Sequence, residues 1–184
     1  YSDVGARVAI LGLGNVLMGD DALGPTVIGT LAARYVFPDT VEVHDLGTPG
    51  LDLHPHLVDR DLIVLVDTVR SDGPAGTVRT YDKAALLRHP PQARTSPHDP
   101  GVKESLLALE FLGGAPAEVV LVGVVPGEVG YEVGLTEGVR GAIPEVVERV
   151  LAVLRDRGIE PEAREDPSEP EPWWEASTSV PRAS

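Results

Sequence analysis

Val8-Ala9-Ile10-Leu11-Gly12-Leu13-Gly14-Asn15-Val16-Leu17-Met18-Gly19-Asp20-Asp21 is the stretch on which the reading of this chain turns. Its apolar opening, Val8 to Leu11, reads as a buried strand, and Ala22 to Tyr35 behind it reads as a helix. Between them a glycine-rich turn carries two adjacent carboxylates to a strand–helix junction. In open α/β sheets ligands bind at such junctions. Two acids beside an apolar core are costly unless something pairs with them. A cation, a cationic substrate or a catalytic task would offset that cost.

Outward from this stretch, strand-like and helix-like segments alternate. Leu23, Val27, Ile28 and Leu31 recur at helical spacing, with Gly24-Pro25 fitting the first turn. Val41 to His44 reads as a second strand, and Leu51 to Val58 as a helix after the turn Gly47-Thr48-Pro49-Gly50. Leu62 to Val66 is an unbroken apolar run ending in Asp67, the mark of a strand buried on both faces. Gly76 to Tyr81 alternates as an edge strand would. Val102 to Phe111 reads as an amphipathic helix and Val119 to Val125 as another buried strand. Thr136 to Arg157 reads as a long closing helix, with Thr136 as N-cap, Pro144 as a kink or break and Gly158 past its end. The pattern predicts a three-layer α/β fold, a mainly parallel sheet of about five strands with helices on both faces.

Residues 1–158 form one α/β domain on this reading, the size of a single well-cored unit. Residues 159–184 are rich in Pro, Glu and Ser and cannot bury enough apolar surface to offset their ordering entropy, so they read as a disordered acidic tail. Trp173-Trp174 within it leaves a second reading open, docking on a partner or back on the domain. The formal charge of -14 argues against nucleic acid or an anionic membrane as partner. With no cysteine, neither a disulfide nor a thiolate metal site is available. No apolar run reaches bilayer length and no basic-then-apolar leader opens the sequence, so a soluble cytoplasmic protein is expected.

Gly12-Leu13-Gly14 invites comparison with a dinucleotide-binding turn, but the third glycine of that motif would fall at Leu17. A phosphate there would also meet Asp20 and Asp21, which repel it. Asp67, at the end of an apolar strand, would point into the same crevice as Asp21; the plain alternative is a turn-forming Asp before Thr68. His98, in Ser96-Pro97-His98-Asp99-Pro100-Gly101, sits on a loop at a helix entrance, where imidazole serves as metal ligand or general base. Its plain alternative is a solvent-exposed loop residue, and Asp99 reads as a helix cap. His54 and His56, two apart, fall on different faces of a helix and read as surface residues; in an extended segment they would share a face and could chelate. Asp45, between His44 and Gly47-Thr48, either lines the crevice or shapes the turn. Asp21, Asp67 and His98 together mix hard and borderline donors, which suits a first-row divalent ion such as nickel or zinc with positions left open for substrate.

These segments in order resemble the [NiFe]-hydrogenase maturation proteases: Gly12-Leu13-Gly14-Asn15, Gly19-Asp20-Asp21, Gly24, His44-Asp45-Leu46-Gly47-Thr48, Val66-Asp67, Ser96-Pro97-His98 and Leu121-Val122-Gly123-Val124-Val125-Pro126. The resemblance spans about residues 7–158. It implies an aspartic-type endopeptidase that removes the C-terminal extension of the hydrogenase large-subunit precursor after nickel insertion. The substrate's nickel would be the recognition device, and other divalent cations would fit the same place. By resemblance the metal-binding and catalytic residues are Asp21, Asp67 and His98, and the substrate-recognition turn is Asp45, Gly47 and Thr48. That turn carries Leu46 where the family has a second glycine. A monomer whose partner is the precursor is implied, with Asp20 a structural acid at the helix start. Two other readings compete: a non-catalytic nickel-dependent checkpoint for the precursor, and a nucleotide-binding α/β enzyme using Gly12-Leu13-Gly14.

Overall fold

A computed structural model describes residues 6–47, 53–88, 92–93, 102–127 and 133–168. The apolar run at the start forms strand β1, Val8–Leu13, which leads through one 3-10 turn, Gly19–Ala22, into helix α1, Leu23–Arg34. Strand β2, Tyr35–Val36, and β3, Val41–Gly47, precede the single-turn helix α2, His54–Leu57. Next come β4, Leu62–Arg70, β5, Val78–Asp82, helix α3, Lys83–Arg88, and β6, Gln92–Ala93. Helix α4, Val102–Leu112, strand β7, Glu118–Val124, helix α5, Glu137–Arg155, and β8, Glu162–Ala163, follow.

The sheet runs β3-β1-β4-β7-β5, parallel apart from β5, which lies antiparallel on β7. β6 adds a short antiparallel pairing at the end of β4. The central strands are apolar throughout because both their faces are covered. Val8, Ile10, Val64, Val66 and Val122 face α1 and α5, while Ala9, Leu11, Ile63, Leu65 and Leu121 face α2, α3 and α4. The three-layer α/β architecture expected from the pattern is the one observed. Among the described residues no helix is long and apolar enough to cross a membrane.

The topology places the site. From β1 the chain turns to β3 on one side and then returns to β4 on the other. The connections diverge between β1 and β4, and at that switch point a crevice opens beyond the strand ends.

Four expectations are corrected by the coordinates. First, β4 does not stop at Asp67 but runs on to Arg70, because β7 stays paired through Thr68 and β6 pairs Val69 and Arg70. β1, however, stops pairing at Val66, so Asp67 still lies at the edge of the switch point. Second, α2 covers only His54–Leu57; Leu51 and Asp52 lie outside the described residues. Third, Pro144 does not break α5, which runs through it from Glu137 to Arg155.

Fourth, residues 159–168, expected as part of a disordered tail, are ordered. Glu162–Ala163 pairs antiparallel with Tyr35–Val36. The Arg164 Nε donates to the Ala32 carbonyl at 2.9 Å, its backbone N–H to Arg34 at 2.9 Å, and the Ser168 N–H to Ala33 at 3.3 Å. These are carbonyls of the last turn of α1, which no helical N–H reaches. The segment is held because it supplies those donors and sets a cation at the negative end of the helix dipole. Residues 169–184, Trp173 and Trp174 included, lie outside the described residues. Replacing Arg164 with Ala is expected to lower unfolding free energy by about 1 kcal/mol, read from urea denaturation as a shifted midpoint at constant slope.

Candidate active site

The glycine turn is built for close approach. Gly24, at the start of α1, lies so near the ends of β1 and β4 that a Cβ on it would strike Leu13 and the Val66 carbonyl. Gly14 holds φ +134°, and its missing side chain is the space occupied by the Asp21 carbonyl. The turn therefore curls back on itself and delivers Asp21 over the switch point. Tight helix-to-strand packing uses these glycines, and the mouth they frame is lined by acid, which disfavours the nucleotide reading.

Asp21 is 3% exposed. Its Oδ2 accepts the Asn15 N–H at 2.8 Å and its Oδ1 accepts the Thr68 hydroxyl at 3.2 Å. Asp67, also 3% exposed, accepts the Thr68 N–H on Oδ1 at 2.8 Å. Thr68, fully buried, thus serves both acids, one through its hydroxyl and the other through its backbone. Nothing in the sequence pattern singled it out beyond its place after Asp67.

Burial pushes the Asp21 carboxyl above its usual range, partly offset by Asn15 and Thr68. Asp67 is pushed much further, first by burial and then by the charge of Asp21, with the Thr68 N–H opposing. Two carboxyls so arranged resist being ionised together. Such a pair can hold and release a proton, or take up a cation that removes the repulsion.

Asp20 has a different task. It is completely buried and its carboxylate takes three donors: the Thr136 N–H at 2.7 Å, the Thr136 hydroxyl at 2.9 Å and the Gly127 N–H at 2.8 Å. Gly127 follows β7 and Thr136 is the N-cap of α5, so one side chain grips both ends of the connection between them. Asp20 is structural, as expected, but it acts by this clamp rather than through the dipole of the helix it precedes. The contact spans 116 residues of sequence, which no local pattern reveals.

Asp45 and Gly47 lie on the rim. Asp45 Oδ1 accepts the Gly47 N–H at 3.0 Å, and Gly47, at φ +61°, accepts the Gly14 N–H at 2.8 Å. The turn is therefore tied to the foot of the glycine loop, while Leu46 packs toward the α2–α4 core. Thr48 and His98 lie outside the described residues. Among the described residues no three histidine or acidic side chains gather as a ligand set. The fold does bring together two histidines that the sequence did not link, His44 at a strand end and His56 read as a surface residue: their rings stand 5.7 Å apart.

Comparisons with known proteins bear on the family and the fold. Residues 25–153 match the family model described as hydrogenase maturation protease. The chain is 37% identical over 163 residues to the hydrogenase 2 maturation protease of Escherichia coli K12, covering 86% of this chain and 97% of that protein. It is 33% identical over 164 residues to the hydrogenase expression/formation protein HupM of Azotobacter chroococcum, covering 89% and 78%. The solved hydrogenase maturating endopeptidase HybD from E. coli superposes with a TM-score of 0.78 at 36% identity, covering 87% of this chain and 99% of that one. A buried aspartate pair at the switch point of an α/β sheet, a family match over most of the domain and a shared fold lead to one assignment: the chain belongs to the hydrogenase maturation proteases and is a hydrolase of the endopeptidase type.

Proposed function

We propose that this endopeptidase removes a C-terminal extension from the [NiFe]-hydrogenase large-subunit precursor after nickel has been inserted, and that the nickel in the substrate is what it recognises. The observation that supports this reading is the buried pair Asp21 and Asp67, joined through Thr68. Each raises the cost of the other's charge. A divalent ion carried in by the substrate offsets that cost, so a loaded precursor binds better than an empty one. Asp21, Asp67 and His98 are the donors proposed to meet it, two carboxylates and one imidazole. Asp45, Gly47 and Thr48 are proposed to seat the peptide beside them.

Nickel in the substrate supplies a Lewis acid near the scissile bond. The protein's part is to hold the peptide there and to move protons. As the ion enters, the proton favoured on Asp67 passes to solvent water and both carboxylates face it charged. The water attacking the scissile carbonyl then gives a proton to a carboxylate of the pair, which passes it to the departing amine nitrogen. The proposal includes a monomeric protease working in the cytoplasm.

Incubating the chain with nickel-loaded and nickel-free precursor tests the proposal by intact mass. The large subunit is expected to lose its extension only when loaded, and to stay full length with Asp21→Asn, Asp67→Asn or His98→Ala. Equal cleavage of nickel-free precursor would remove nickel from the recognition step.

A further inference from the structure

A second pair of metal-competent side chains lies apart from the aspartates. His44 sits on the edge strand β3 in register with Leu11 of β1. Leu11 is buried on the side covered by α2, α3 and α4. Neighbours in register across a sheet share a face, so His44 projects toward α2. That helix is seated by Leu53 and Leu57, both in the core, and offers His56 to the same spot. The two ring centroids are 5.7 Å apart and the rings are tilted by 60°. His44 is exposed and His56 half-buried, so an ion can reach both.

The separation fits a common ion. An imidazole nitrogen about 2.1 Å from zinc puts the ion about 3.2 Å from the ring centre. Two such arms spanning 5.7 Å open to about 125° at the ion, within small side-chain rotations of tetrahedral. Imidazole suits nickel, zinc and copper, and waters would complete the coordination. The strongly acidic chain draws cations to its surface, and exposed Asp45, next to His44, adds to that field. β1 lies between β3 and β4, which puts His44 about 10 Å across the sheet from the strand of Asp67, too far to share an ion.

We infer that His44 and His56 form a second binding site for a borderline divalent ion, on the rim formed by β3 and α2 and separate from the aspartate pair. The inference does not depend on the proposed cleavage reaction.

Titration of the full chain with zinc ion alone, followed by the imidazole nitrogen resonances, tests it. The His44 and His56 signals are expected to move together, saturating at one equivalent, and to do so equally in the Asp21→Asn/Asp67→Asn double variant. His44→Gln is expected to leave His56 unshifted over the same range, and His56→Gln to leave His44 unshifted. His54→Gln, two residues along α2, is expected to change nothing. Copper ion bound to the wild type is expected to show hyperfine coupling to two nitrogens in its EPR spectrum, and to one in either single variant. Melting temperatures near wild type check that the Gln variants fold. Signals moving at different concentrations, one ring still responding after the other is removed, or an equal loss with His54→Gln would overturn the inference.

Discussion

Asp67→Asn is expected to end proteolysis and, at neutral pH, to raise the melting temperature. The two effects have one cause. Asp67 is buried beside a second carboxylate, and both burial and that neighbour raise its affinity for a proton. In the folded protein it holds a proton over a range of pH in which the unfolded chain, titrating near ~4, has already released it. The folded state therefore binds more protons there, and its stability falls as pH rises through that window. Above the folded value the whole penalty remains. Asn removes the charge and keeps an oxygen to accept the Thr68 N–H. The stability gap between variant and wild type should be small near pH ~4 and widen toward neutrality, read by thermal melts across that range. Cleavage of loaded precursor should fall by about 10³-fold or more, since the amide neither accepts the proton nor carries the charge. Asp21→Asn should gain less stability. Both its oxygens already accept donors, so the amide turns an N–H toward one of them. A variant of Asp67 that loses stability at neutral pH would show that the carboxylate is held by something that more than offsets its burial.

Asp20→Ala is expected to be the most destabilising single change near the site. It strips three half-buried donors of their common acceptor, two on Thr136 and one on Gly127. Leaving such groups unpaired costs about 1–3 kcal/mol each when no water replaces the partner, and partial hydration brings the expected total to about 3 kcal/mol. For a chain of this size that lowers the melting temperature by about 6–12 °C. Asp20→Asn should recover only part of the loss, because one of its two heads donates where the site needs acceptance. Calorimetry of the three proteins checks the order. The same clamp sets the loop carrying Asp21, so the Ala variant should also cleave more slowly at temperatures where it is still folded. Unchanged stability in Asp20→Ala would mean that Thr136 caps α5 without help.

The layer order of the fold was legible because burial on both faces imposes continuous apolar runs on β1, β4 and β7, and these runs are plain in the sequence. Asp21 was legible because an acid after a glycine turn conflicts with its apolar surroundings. Element ends were not. Asp67 looked like the end of a strand, yet the ladder with β7 carries β4 onward, a fact set by a segment more than 50 residues away. Polarity misled at β8, where an acidic, proline-rich stretch is held by the last carbonyls of α1 as well as by the apolar contacts of Ile159 and Pro161. The clamp of Asp20 and the meeting of His44 with His56 were hidden for the same reason: both depend on which segments the topology lays side by side.

The donors that finish the foot of α1 lie 132 residues further along, on Arg164. During synthesis the first helix must therefore wait, its lower end frayed, until nearly the whole domain has left the ribosome. Translation order and folding order part company here, and a segment made late acts as a seal on the first helix to be made.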